Sequence, residues 1–272
     1  MESEYHQTIR AYSDLVDRLT NLAMQSEAKL EVIGEFEAMG RAYSMYVLCL
    51  GSPTSAKSNV MIAAGIHGDE PAGVEAALRF AESAARDKSL LSNYHFVIFP
   101  CNNPTGYELG TRENWKGVDL NRQFNVRKPE PEVLILMNTI QGRCFDLVVE
   151  MHEDIDAPGL YLYEISDDDN SRVGEEIIAA VAAAGYPINL SDCIEGLPAH
   201  GGVISRGINL KRFRKTQLPQ AIYVYRTCGG HIITLEPPAS LLPFEDRVRI
   251  ELMGLRIALE RRLPPGANKA LR

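Results

Sequence analysis

Val60-Met61-Ile62-Ala63-Ala64-Gly65-Ile66-His67-Gly68-Asp69-Glu70-Pro71 decides the fold class of this 272-residue chain. The first five residues are apolar without alternation, the pattern of a strand covered on both faces. Gly65 ends that strand, a polar turn follows, and from Pro71 to about Arg86 apolar residues recur at helical spacing. A fully buried strand that runs straight into a helix is the unit from which α/β sheets are built.

The same alternation extends outward from this stretch. His95 to Pro100 and Asp146 to Met151 read as buried strands, and Tyr161-Leu162-Tyr163 and Ile232-Ile233-Thr234-Leu235 as two more. Upstream, Glu31 to Glu37 and Ser44 to Leu50 read as strands joined by a turn containing Gly40. Helical spacing returns over Glu130 to Arg143, Ser171 to Ala184 and Glu245 to Arg262. Residues 1–29 read as an N-terminal helical extension, with Ile9, Tyr12, Leu15, Val16, Leu19 and Leu22 at helical intervals. The order predicts an α/β fold: a mixed, mostly parallel central sheet flanked by helices on both faces. No repeat, low-complexity run or composition break divides the chain, so residues 1–272 are expected to form a single domain.

Composition narrows the function classes. A 45% hydrophobic and 24% charged content is that of a globular protein, and a net charge of −8 argues against a nucleic-acid partner. The longest apolar stretch, Ile177 to Ala184, is too short to span a bilayer, and no membrane partner is expected. Met1-Glu2-Ser3-Glu4 lacks the basic, apolar start of a signal peptide. Cys49, Cys101, Cys144, Cys193 and Cys228 are odd in number and widely spaced without a Cys-x-x-Cys pair, which argues against a thiolate zinc site and a disulfide framework. These features predict a reduced, cytoplasmic protein.

Chemistry gathers at predicted strand ends, where α/β sheets build their sites. His67 and Glu70 are three residues apart in the turn after the first buried strand. One turn can bring both to a single ion, but the pair also suits a loop histidine beside a helix-capping glutamate. His152 ends the strand from Asp146 to Met151, with Glu150 on its own side as a candidate partner for its imidazole. Glu153 and Asp154 follow, and with Glu150 they could support a second ion. Glu236 closes the strand Ile232 to Leu235 just before Pro237-Pro238, as a base or as half of a salt bridge. Two imidazoles, a ligating carboxylate and a spare carboxylate are what a catalytic zinc and its water need.

A fourth segment adds Asn103-Pro104-Thr105-Gly106, Arg112 and Gly117-Val118-Asp119-Leu120-Asn121-Arg122-Gln123-Phe124. An amide donor beside a guanidinium suits recognition of a carboxylate. These motifs, with His-x-x-Glu at 67–70, His152 and the late Glu236, resemble the zinc carboxypeptidase family typified by carboxypeptidase A, in the family's own order. The resemblance implies one zinc per chain on His67, Glu70 and His152, with Glu236 as the catalytic base. It also implies Asp119 as the carboxylate steadying His67, Asn121 and Arg122 as holders of the substrate's terminal carboxylate, and Arg112 as the arginine facing the scissile carbonyl. The family's substrate-capping tyrosine has no clear counterpart, and Tyr225 is the nearer of two choices, ahead of Tyr223.

The expected activity is that of a zinc metallocarboxypeptidase cutting the amide bond to a C-terminal, carboxylate-bearing residue. Two other readings share the ligand set. One is a zinc amidohydrolase of the succinylglutamate desuccinylase or aspartoacylase type, acting on N-acyl amino acids. Those enzymes usually add a β-rich C-terminal domain, for which the 36 residues after Glu236 leave little room. The other is a metal-binding relative without turnover. A basic run from Arg206 to Lys215 reads as a solvated face or as a rim that attracts acidic partners.

Overall fold

The computed structural model describes residues 10–205 and 216–262. Ile9 and the basic run from Arg206 to Lys215 lie outside the described residues.

Among the described residues, ten strands and eight α-helices follow the predicted alternation. A helix α1 (Tyr12–Gln25) leads into β1 (Lys29–Ala38), β2 (Arg41–Leu50) and β3 (Ser58–Ala64). Then come α2 (Pro71–Ala84), α3 (Lys88–Asn93), β4 (Tyr94–Phe99), α4 (Pro104–Leu109), α5 (Pro131–Ile140) and β5 (Leu147–Met151). The second half holds β6 (Tyr161–Ile165), α6 (Gly174–Ala183), the ribbon of β7 (Cys193–Ile194) and β8 (Leu197–Pro198), and β9 (Val203–Ile204). It closes with α7 (Gln220–Cys228), β10 (His231–Glu236) and α8 (Phe244–Glu260). The extension predicted for residues 1–29 is therefore shorter where it is described, and α3, α4 and α7 are additions to the sequence reading.

The main sheet has eight strands in the order β1-β2-β4-β3-β5-β10-β6-β9. Its centre is parallel, β4 to β3, β3 to β5 and β5 to β10, and β9 runs parallel to β6. The antiparallel pairs are β1 with β2, β2 with β4, and β6 with β10. Val60, Ile62, Phe96, Ile98, Leu147, Val149 and Ile233 are fully buried at this centre. Each such side chain contributes about 1.5–3 kcal/mol relative to exposure, which is why an unalternating apolar run is stable here and nowhere on the surface.

Strand alternation assigns the two faces. Met151 and Leu235 point to one face, against α2 and α8. There a Cβ on Gly73 would lie 2.8 Å from that of Met151, and one on Gly254 2.6 Å from Cδ1 of Leu235. Glu150, His152, Thr234 and Glu236 point to the opposite face, toward the first turn of α7. Among the described residues no helix is long and apolar enough to cross a membrane.

Candidate metal centre

The parallel strands β3 and β5 and their neighbour β10 end side by side, and their C-terminal loops deliver the predicted residues to one place. Gly65, at φ +63°, turns the chain sharply after β3. Gly68 then packs backbone to backbone on Gly106, where a Cβ would sit 1.9 Å from the Gly106 carbonyl carbon. That contact accounts for the Asn-Pro-x-Gly string. Asn103 caps α4 by accepting a bond from the Gly106 amide at 2.9 Å, and Pro104 occupies the first turn. Both halves of the junction must be glycine, and together they fix the loop that carries His67 and Glu70.

Glu70 stands at the N-cap of α2 but makes no side-chain cap. Its carboxylate faces the two imidazoles instead. Oε1 lies 2.6 Å from Nδ1 of His67, and Oε2 lies 2.8 Å from Nδ1 of His152. The imidazole rings are 5.0 Å apart between centroids, and all three residues are buried. Each offers one ligand atom within 4.8 Å of the others. The helix-capping role left open by the sequence is filled from elsewhere: Glu153 accepts the bond from the Ala72 amide at 2.6 Å.

The far side of the His67 ring meets Asp119, whose Oδ1 is 3.4 Å from Nε2. Asp119 also accepts the Asn121 amide at 2.8 Å and lies 3.4 Å from Arg112 Nη2. Asn114, which the sequence reading passed over, shapes this loop by accepting bonds from the amides of Lys116 and Val118. Gly117, at φ +73°, completes the turn.

Charge follows from the geometry. Burial alone would raise Glu70, but the two imidazoles dominate and hold it down at about 2. Burial would lower His67 and His152, and Glu70 draws both upward instead. Asp119 is held well below the carboxylate range, because His67, Arg112 and Arg122 outweigh its burial. Glu236 goes the other way. Burial, with repulsion from Glu70 and Asp154, raises it to about 8. A divalent cation on the triad would draw it back down.

The donor set fits zinc. Two imidazoles and one carboxylate, buried, with one ring's second nitrogen turned to a carboxylate, form a three-ligand catalytic arrangement. Among the described residues, Glu153 and Asp154 are not part of that cluster. The oxygens of Glu153 engage Ala72 and Arg247, and those of Asp154 engage the Asp156 amide and the Tyr161 hydroxyl.

The triad opens into a cavity of about 610 Å³ that also receives Arg112, Asn121, Arg122, Glu150 and Glu236. Arg112 Nη1 lies 3.3 Å from His67 Nδ1 and 3.5 Å from Glu70 Oε1, so its guanidinium overhangs the ligands. Asn121 Oδ1 accepts the Gln220 backbone amide at 2.7 Å, and the side chain's donors are its Nδ2 hydrogens. Arg122 is exposed at the rim and spends one nitrogen on the Asn121 carbonyl at 2.8 Å. Glu150 Oε2 is 4.0 Å from His152 Nε2, a looser contact than the partnership predicted from the sequence. Burial raises Glu150 to about 7.

Tyr225 is not brought to the site. It lies on α7, one turn beyond the cavity residues Ala221 and Ile222, and its hydroxyl bonds to Asp167. The cavity's tyrosines are Tyr161 and Tyr163 on β6. The sequence showed them only as part of one strand. Their pairing with Glu236 and Thr234 appears only with the register of β6 on β10.

Comparison with known proteins agrees with this geometry. The zinc carboxypeptidase family model matches residues 38–179, more than half of the chain and inclusive of His67, Glu70 and His152. Carboxypeptidase SOL1 of Arabidopsis thaliana is 34% identical over 88 residues, covering 26% of this chain and 18% of that protein. Murein peptide amidase A of Escherichia coli K12 is 40% identical over 76 residues, covering 27% of this chain and 28% of that protein. The chain thus spans well under a third of the length of these curated relatives. The crystal structure of a candidate metallopeptidase from Shewanella amazonensis has the same fold, with a TM-score of 0.75 at 22% identity. That match covers 91% of this chain and 92% of the other.

Proposed function

This chain belongs to the zinc carboxypeptidase family, and from that premise we propose that it is a metallocarboxypeptidase. Its reaction is hydrolysis of the amide bond to a C-terminal residue bearing a free carboxylate. One observation carries the reading: Asn121, Arg122 and Arg112 open onto the same cavity as the His67–Glu70–His152 cluster and Glu236. The site therefore combines an anchor for an anion with hydrolytic machinery.

His67, Glu70 and His152 would hold one zinc per chain, which when bound polarises water and the scissile carbonyl. Arg122 and the Asn121 amide bind the terminal carboxylate and so place the scissile bond beside the cluster. Arg112 holds the carbonyl oxygen and stabilises the negative charge that develops there. Glu236 takes a proton from the attacking water and returns it to the departing nitrogen. Asp119 keeps His67 with its Nδ1 lone pair toward the cluster.

An N-acyl amino acid offers the same carboxylate and amide, and the murein peptide amidase similarity keeps small amide substrates in view. One assay separates the two. Zinc-loaded chain is given a C-terminally free peptide panel and an N-acyl amino acid panel under the same conditions, with products identified by mass spectrometry. Release of single C-terminal residues from the peptides, at rates above those for the acyl amino acids, is expected. Turnover of the acyl amino acids alone would replace this reading with an amidohydrolase.

A further inference from the structure

A glycine stands between two of the clustered ligands, and hydrogen bonds hold it from both sides. Gly68 cannot carry a side chain, because the Gly106 backbone fills the space a Cβ would need. Glycine has the widest backbone freedom of any residue, and this one follows His67 directly and precedes Glu70 by two. The Gly68 amide donates to the Arg112 carbonyl at 3.4 Å, and the Gly68 carbonyl accepts from Nη2 of Arg10 at 2.7 Å. Through Nε the same guanidinium donates to the Tyr107 carbonyl at 3.2 Å. Arg10 therefore bridges the two backbones that meet at the Gly68–Gly106 contact. Its guanidinium carbon also lies 5.1 Å from the centroid of the Tyr107 ring. Two residues on, the Tyr12 amide donates to Glu108 Oε1 at 3.2 Å and seats this part of the chain on α4.

We propose that Arg10 is a positioning residue of the metal centre, which fixes the peptide between His67 and Glu70 and so presets the spacing of those two ligands. The proposal rests on His67, Glu70 and His152 being the zinc site and is independent of the substrate assigned to it. A site whose ligands are already in place binds its ion without first ordering them. Without Arg10 the buried Gly68 carbonyl loses its charged donor. The loop then regains the freedom of its glycine, and zinc has to remove that freedom on binding. The planar fork of a guanidinium suits this role, since it serves two carbonyls from different loops at once. The segment just before α1 supplies no ligand, yet through Arg10 it belongs to the centre.

The test measures zinc affinity by chelator competition, beside thermal unfolding of the metal-free protein, on the full-length chain and three variants. Arg10→Met keeps an aliphatic stem over Tyr107 and removes both donors. Its zinc affinity should fall about 10-fold, the lower end of the effect of groups that orient metal ligands. Arg10→Lys keeps a charge that reaches one carbonyl but lacks the fork, and should recover part of that loss. Leu19→Ala is the control: it empties a buried position on α1 and loosens the same segment without touching Gly68. It should unfold at lower temperature and keep the zinc affinity of the wild type. Wild-type affinity in Arg10→Met, or an equal loss in Leu19→Ala, overturns the role of Arg10 and leaves the zinc site standing. A wild type that binds no zinc overturns the zinc site and this role with it. If Arg10→Met fails to fold, Arg10→Lys decides: affinity below the wild type supports the role, and wild-type affinity overturns it.

Discussion

Oδ1 of Asp119 lies 3.4 Å from Nε2 of His67, at the opposite ring nitrogen from the one facing Glu70. A carboxylate in that position makes Nε2 the protonated nitrogen and leaves the Nδ1 lone pair for a metal. Asp119→Asn keeps the shape and removes the charge. Its zinc affinity, measured by chelator competition, should fall about 10- to 100-fold. Unchanged affinity would show that Asp119 serves only to build its loop.

Glu236→Gln should lower kcat by on the order of 10²- to 10⁴-fold, the usual contribution of a general base. Zinc content should stay that of the wild type, because Glu236 is not among the three clustered ligands. Turnover at the wild-type rate would remove Glu236 from the chemistry.

Zinc affinity should also depend on pH in a defined direction. Glu70 raises the proton affinity of His67 and His152 in the metal-free chain. Protons therefore compete with zinc from above the ordinary imidazole value of about 6.5, and affinity should weaken steadily as pH falls through that range. A flat profile between pH 8 and 6 would count against a site built on these two imidazoles.

Glu251, on α8, is fully buried, and neither carboxylate oxygen has a hydrogen-bond partner. Burial, then repulsion from Glu236 and Glu70, raises it well above the carboxylate range, so the folded chain keeps its proton. The unfolded chain ionises above about pH 4.3, and stability is lost as pH rises beyond that point. In the metal-free protein, Glu251→Leu should unfold at higher temperature than the wild type at pH 7.5. Each kcal/mol regained is worth roughly 2–4 °C, and the gain should vanish near pH 4. Thermal unfolding across pH reads this directly, and a pH-independent gain would mean that ionisation is not the cause.

What the sequence made legible followed from local pattern. The apolar runs at Val60–Ala64 and Leu147–Val149 announced strands buried on both faces, and the ligands follow the ends of those strands. The Asp119–Arg122 string was legible because three polar residues in one short loop exceed what a loop needs to hold itself. The helix α7 was harder to read. Its Ile222, Tyr223, Val224 and Tyr225 are β-branched or aromatic, and such residues form helices only weakly by propensity. Placing Tyr225 at the substrate required knowing where α7 begins, and one helical turn moves it out of the cavity.

Other features depend on register and packing, which no local window contains. Tyr161 faces Glu236 only because β6 pairs antiparallel with β10. Glu251 resembles any surface glutamate of an amphipathic helix until α8 is docked over the sheet. Gly68 and Gly106 are 38 residues apart, and their backbone contact is invisible until the two loops meet.

The most direct measurement compares one peptide in two forms, with a free C-terminal carboxylate and with that carboxylate amidated, both given to the zinc-loaded chain. The carboxylate anchor at Asn121 and Arg122 predicts stepwise loss of the C-terminal residue from the free acid. The amidated peptide should be cut at least ~10-fold more slowly, since it lacks the charge that Arg122 binds. Cleavage of both forms at equal rates, or at internal bonds, would mean that this site does not recognise a chain end.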